Sequence, residues 1–274
     1  MLRCHAQANC VIMEAIRAKK TLGQNFLKDM PSIAKIADRA RIRPGDLVLE
    51  IGPGLGHLTR VLADRAQKVL AVELDVRLIP LLLREFAERR NVEIVHADAL
   101  EYPYGSLTGK WKVVANLPYY ISTPIIQKLL RHRIKFDTLT LMLQKEVAER
   151  IASPPGRKEY GFLSVLVQLY AEPHIEFIVP AEAFTPKPEV DSAVITLDIR
   201  RTPAAPLKDE AYFFRVVKTA FSQRRKTLGN SLKQLKVSKE RLAAAFDKTG
   251  INLSRRAETL SVQEFAALSD FLHT

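Results

Sequence analysis

The sequence predicts an α/β fold, a mostly parallel sheet of seven strands wound with helices, followed by a small all-helical domain. Three observations carry that prediction. Short β-branched runs recur at intervals of roughly twenty residues. Segments of helical periodicity lie between them. Beyond the breaker stretch 200–207 (RRTPAAPL), the pattern is helical only.

In chain order, Leu47–Ile51, Lys68–Glu73, Val92–His96, Trp111–Ala115 and Thr138–Leu143 are near-continuously apolar. Such runs suit strands covered on both faces by helices. The covering helices are expected at His57–Ala66, Arg77–Glu88 and Pro124–Arg133. Ile175–Val179 and Ala193–Ile199 follow each other across a loop, which predicts an antiparallel pair closing one edge of the sheet. Helices are then expected at Ala211–Phe221, Thr227–Leu235, Lys239–Lys248 and Val262–Leu272. The domain reading is an α/β domain over 17–200 and a helical, basic domain over 201–274, with residues 1–16 an extension of no assigned role. No repeat or low-complexity segment interrupts it.

Composition narrows the class. With 274 residues, 47% hydrophobic and 26% charged, the chain is neither disordered, fibrous nor a miniature stapled scaffold. Its two cysteines, Cys4 and Cys10, build no disulfide framework, and no Cys/His cluster has zinc-ligand spacing. A reducing compartment is expected, and no metal. Apolar stretches such as Leu78–Leu83 are too short to span a bilayer, and the first fourteen residues lack the apolar core of a secretory signal. The expectation is a cytoplasmic protein without membrane association. The formal charge of +12 is uneven: from Arg201 onward there are 14 basic and 7 acidic residues. An excess gathered in one region points to a polyanionic partner, most simply nucleic acid.

The first strand runs into Glu50-Ile51-Gly52-Pro53-Gly54-Leu55-Gly56. Glycines let the backbone turn sharply and approach a ligand closely. The dinucleotide fingerprint G-x-G-x-x-G requires glycine at 57, where the chain has His57. The pattern is instead G-x-G-x-G preceded by an acid, similar to motif I of S-adenosylmethionine-dependent methyltransferases, whose sheet is Rossmann-like. Glu73 ends the second strand, 21 residues beyond Gly52, where a doubly wound fold holds the carboxylate for ribose hydroxyls. Asp98 follows the third strand, placed to accept from an adenine amino group. Gly52, Gly54, Gly56, Glu73 with Leu74, and Asp98 with Ala99 are therefore the expected cofactor contacts.

After the fourth strand comes Asn116-Leu117-Pro118-Tyr119, which looks like motif IV of methyltransferases acting on exocyclic amines of nucleobases. An adenine N6 is a poor nucleophile because its lone pair is delocalised into the ring. A carboxamide oxygen and a backbone carbonyl that accept its two hydrogens favour a pyramidal nitrogen, so positioning and electrostatics carry the catalysis. Tyr119 offers a stacking face to an extruded base. Phe184, in the proline-stiffened loop 184–192 (FTPKPEVDS), is the candidate for the base's other face. Arg224, Arg225 and Lys226 stand together near a predicted helix start, where they oppose its dipole. Phosphate contact is the expectation for them.

TLGQNFL at 21–27, EIGPGLG, NLPYYIS, LQKEV at 143–147, YGFLS at 160–164 and FTPKPEVDSAV occur in one order. Together they closely resemble the bacterial small-subunit ribosomal RNA adenine dimethyltransferases (the KsgA/RsmA family), over roughly residues 17–270. The resemblance implies S-adenosylmethionine as cofactor and transfer of four methyl groups, two to each N6 of adjacent adenosines near the 3′ end of 16S ribosomal RNA. It also implies a monomer acting on the immature small subunit, late in its assembly. Asn25 and Leu27 match family positions that cover the cofactor, as do Gly52, Glu73, Asp98 and Asn116. Tyr119 and Phe184 match the aromatic pair that grips the base. The alternatives are a large-subunit adenine methyltransferase of the macrolide-resistance type, or a non-catalytic assembly or transcription factor. LGQNFL, NLPY and FTPKP favour the small-subunit enzyme.

Overall fold

The structure, a computed structural model, describes residues 18–19, 22–223 and 225–273. The N-terminal extension, Thr21 and Arg224 lie outside them.

The strands are β1 (Phe26–Leu27), β2 (Leu47–Ile51), β3 (Lys68–Glu73), β4 (Val92–His96), β5 (Trp111–Asn116), β6 (Phe136–Gln144), β7 (Ala171–Val179), β8 (Phe184–Thr185) and β9 (Ser192–Ile199). Seven form one sheet in the order β4-β3-β2-β5-β6-β9-β7. The first five run parallel, and β9 lies antiparallel to β6, with Thr140 opposite Thr196 and Gln144 opposite Ser192. β7 therefore sits at the sheet edge and β9 one place inside it. The helices are α1 (Met30–Arg39), α2 (His57–Ala63), α3 (Ile79–Glu85), α4 (Ser122–Arg131), α5 (Lys145–Ala152), α6 (Phe162–Tyr170), α7 (Glu210–Phe221), α8 (Leu228–Ser231), α9 (Lys239–Thr249) and α10 (Val262–His273).

The chain divides into two compact units. One comprises the residues up to Ala148 and His174–Ile199; the other comprises Glu149–Pro173 and the chain from Arg200. The sequence boundary at 201 is a single cut, whereas residues 149–173 group with the C-terminal helices.

In the first unit the central strands are buried on both faces: Val48, Leu49, Val69, Ala71, Val113 and Val114 are all inaccessible to solvent. One core cluster joins Ile33, Ile36 and Ala37 of α1 with Leu58 and Leu62 of α2 against Val48, Val69 and Val114. Burial of each such large side chain contributes about 1.5–3 kcal/mol, which pins both helices to the sheet. Asp29 caps α1, accepting from the Ser32 N–H at 2.9 Å.

In the second unit the helices carry their own caps. Asp209 accepts from Tyr212 N–H at 2.7 Å to start α7, and Ser238 accepts from Arg241 N–H at 3.1 Å to start α9. Phe213, Val217, Leu228, Phe246 and Phe265 are buried. The expected helix over Thr227–Leu235 is shorter: α8 covers four residues and a 3₁₀ turn takes Leu232–Leu235. Gly229, Asn230 and Ser231, all weak helix formers, fall within that stretch. Among the described residues, no helix is long and apolar enough to cross a membrane, and no group of three or more His, Cys, Asp or Glu is placed to hold a metal ion.

Candidate active site

The sheet order reverses at β2, with β3 on one side and β5 on the other. In open α/β sheets the crevice outside the carboxyl ends of strands at such a switch point receives ligands. Here it is a cleft of about 910 Å³ of empty space, its open mouth included. The ends of these three strands supply its floor: Glu50 and Gly52 from β2, Glu73 and Leu74 from β3, Asn116 and Leu117 from β5. The segment 22–27 forms a further wall, held there by β1, which pairs antiparallel with β8.

Glu73 is buried and fully used on its backbone side. Its Oε2 accepts from Gly54 N–H at 3.1 Å and its Oε1 from Asp75 N–H at 2.8 Å. Burial raises its pKa, and these N–H groups pull part of the way back. Gly54 has φ +57°, and a Cβ there would stand 3.1 Å from the Phe26 ring, so the N–H reaches Glu73 only because the residue is glycine.

Glu50 is the residue sequence reasoning left out of the site. It is 2% exposed and lines the cleft, and its Oε2 has no hydrogen-bond partner among the described residues. Burial pushes its carboxyl up to about 8. The acid before the glycines was visible in the motif; its orphaned oxygen was not.

Asn116 is clamped through its amide nitrogen, which donates to the Asn25 carbonyl at 3.2 Å. Its Oδ1 makes no hydrogen bond to any described residue. Asn25 in turn donates to Gly23 O at 3.4 Å. Leu117 is 1% exposed and lines the cleft. The Pro118 carbonyl is taken by Ile121 N–H at 3.2 Å, whereas that of Leu117 accepts nothing among the described residues. Tyr119 is half-buried, its hydroxyl 2.8 Å from Ser192 Oγ across 73 residues of sequence.

Four expected residues are placed differently. Phe184 is not against the cleft: it is 4% exposed and packs in the core with Leu27, Ile33, Val179 and Val194. The pairing of β8 with β1, Phe184 opposite Leu27, draws its ring inward. Gly56 does not line the cleft either; a Cβ there would stand 2.9 Å from the Phe86 ring, so it serves close packing. Asp98 and Ala99 follow β4 at the same sheet edge but lie outside the cleft lining. Asp98 Oδ1 accepts from Leu100 N–H at 2.7 Å. Arg225 and Lys226 are exposed.

Among the described residues the lining contains no Lys or Arg, and Glu50 and Glu73 are its only acids. Such a cleft suits a ligand with net positive charge and opposes a pyrophosphate. It is an acidic-floored slot ending at a carboxamide oxygen and a free carbonyl.

The chain matches the ribosomal RNA adenine dimethylase family over residues 15–274. It is 51% identical over 263 residues to the ribosomal RNA small subunit methyltransferase A of Geobacter metallireducens, covering 93% of this chain and 96% of that protein. Among solved structures it is similar to a dimethyladenosine transferase from Plasmodium falciparum (TM-score 0.77, 28% identity, 89% of this chain and 95% of that one). It is also similar to the 23S rRNA methyltransferase ErmE (TM-score 0.71, 31% identity, 91% of this chain and 100% of that one).

Proposed function

Because this chain belongs to the ribosomal RNA adenine dimethylase family of methyltransferases, we propose that it dimethylates N6 of two adjacent adenosines near the 3′ end of 16S ribosomal RNA, in the immature small subunit, using S-adenosylmethionine. The observation that carries the cofactor reading is that, among the described residues, the lining holds no Lys or Arg but two buried carboxyls, one of them carrying an unpartnered oxygen. That cofactor is a cation overall, and it supplies a methyl group on a positively charged sulfur. Glu73 would accept from its ribose hydroxyls, Glu50 would face its ammonium, Leu74 would cover the adenine, and Asp98, one oxygen already spent on its own turn, would take the adenine amino group with the other. Asn25 and Leu27, on the wall segment, would close over it.

The chain's own residues then act on the nucleophile. The Asn116 Oδ1 and the Leu117 carbonyl, both without partners among the described residues, would accept the two N6 hydrogens and favour the pyramidal nitrogen. The Asn116 amide cannot swing away while its nitrogen is tied to Asn25. Tyr119 would stack on the base, its ring plane set by Ser192. Phe184 takes no part in this reading, being in the core. The greater identity to the small-subunit enzyme, 51% against 31% for the 23S enzyme, favours the small subunit. Offering immature small subunits and large subunits together, with labelled cofactor, tests it: label in the small subunit is expected, and label confined to the large one would overturn the assignment.

Two further results are expected. Tyr119→Ala should lose about 1–3 kcal/mol of stacking. Tyr119→Phe and Ser192→Ala should each lose only about 0.5–1.5 kcal/mol, the worth of one hydrogen bond, and the double variant no more than either. Steady-state rates on small subunits measure this. If Tyr119→Phe is as damaged as Tyr119→Ala, the hydroxyl has a chemical task.

In the second unit, Arg224, Arg225 and Lys226 would contact phosphates and position the RNA without reading its sequence. Their joint replacement by Gln should flatten the log–log salt slope of binding by roughly 2–3 units, which amounts to about 1.2–1.8 decades of affinity between 50 and 200 mM salt. Cofactor affinity should stay unchanged, since the cleft is lined entirely by the first unit. An unaltered slope would make these residues surface charge only.

A further inference from the structure

The NLPYY turn carries a second tyrosine without a task so far. Tyr120 is 56% exposed, yet it lines the same cleft as Asn116, Pro118 and Tyr119. Its ring rests on Gly23: a Cβ at that glycine would come within 2.9 Å of Cδ1 and 3.1 Å of Cε1, and Gly23 sits at φ +57°. A side chain at position 23 would therefore push the ring away, and the wall segment both tolerates and steadies it. The Tyr120 hydroxyl makes no hydrogen bond to any described residue. Consecutive tyrosines are thus held in opposite ways, Tyr119 half-buried and tethered to Ser192, Tyr120 seated on backbone with most of its surface in water.

A large aromatic side chain left in solvent beside a cleft forgoes burial energy that an apolar partner would restore. The partner follows from the lining. Among the described residues the lining offers no Lys or Arg to a phosphate, which favours contact with the faces and edges of bases, and an exposed ring is a stacking platform. We propose that Tyr120 stacks on the nucleotide next to the target adenosine, so that the two adjacent bases are gripped by two adjacent rings. One base lies inward against Tyr119, and its neighbour lies on the outer face of Tyr120. This rests on the function proposed above and adds a second base subsite to it.

Small subunits reassembled with RNA carrying an abasic nucleotide beside one target adenosine provide the test, alongside unaltered subunits. On unaltered subunits, Tyr120→Ala should raise KM by roughly 5- to 150-fold, the worth of one base–aromatic stack, with kcat little changed. Tyr120→Phe should restore the wild-type value. On abasic subunits, wild type and Tyr120→Ala should have nearly equal KM values. The dissociation constant of S-adenosylmethionine, measured by calorimetry, should be the same for all three proteins. An equal loss on both kinds of subunit, or a loss that appears in cofactor affinity, would overturn the proposal and leave Tyr120 as a support for the wall segment. Wild-type protein that labels no small subunit would instead defeat the underlying function, and wild type that labels while Tyr120→Ala matches it would defeat only the second subsite.

Discussion

Asn116→Ala is expected to slow the methyl-transfer step by roughly 10²–10³-fold, the range for removing one preorganised group aimed at charge that develops in a transition state. The carboxamide nitrogen donates to the Asn25 carbonyl, leaving Oδ1 as the end available to a substrate amine. Its contribution grows as N6 pyramidalises, so RNA affinity should change far less than rate. Losing the Asn25 contact will also loosen the wall segment, so some weakening of cofactor binding should accompany the rate effect. Single-turnover rates at saturating cofactor separate the two. Asn116→Asp provides a second reading: it keeps an acceptor oxygen but loses the N–H that ties it to Asn25, so it should retain more activity than Ala. A normal chemical step in the Ala variant would remove Asn116 from the mechanism.

Glu73→Ala should weaken S-adenosylmethionine binding by about 1.5–3 kcal/mol, the range for hydrogen bonds to a charged group. The substitution also strands the N–H groups of Gly54 and Asp75, which now donate to the carboxylate. The glycine turn is thereby loosened, and part of the loss will be indirect. Glu73→Gln keeps the shape and one acceptor oxygen, so its affinity should fall between wild type and Ala. Calorimetric titration of the folded variants checks the order. An unchanged dissociation constant for Ala would mean that this acid does not face the ribose.

Much of this arrangement was legible in the residues, for reasons that differ by element. Leu47–Ile51 and Lys68–Glu73 stand where their apolar, β-branched runs end, because central parallel strands are buried on both faces; Val92–His96 stands where its run ends as well, though as a half-buried edge strand. The helix expected at Arg77–Glu88 begins later, at Ile79. Pro80 fits only the first turn of a helix, and Arg77 is engaged with the buried Asp75. α6 was not anticipated. Phe162–Tyr170 is apolar almost all round, so it has no amphipathic period to read. The glycine turn and the strand-end acids were readable because position along the chain puts them at one sheet edge. Contacts made across the sequence were not. Ser192 reads as an ordinary strand residue until it meets Tyr119, and Phe184 reads as a loop aromatic until β8 pairs with β1.

The most direct measurement is the identity and position of the methylated nucleoside. Small subunits lacking this modification would be incubated with the protein and labelled S-adenosylmethionine, and the RNA then digested and mapped by mass spectrometry. The account predicts N6,N6-dimethyladenosine at two adjacent positions near the 3′ end of 16S RNA, formed far more slowly when Asn116→Ala replaces wild type. Label on any other base, or in the large-subunit RNA alone, would contradict it.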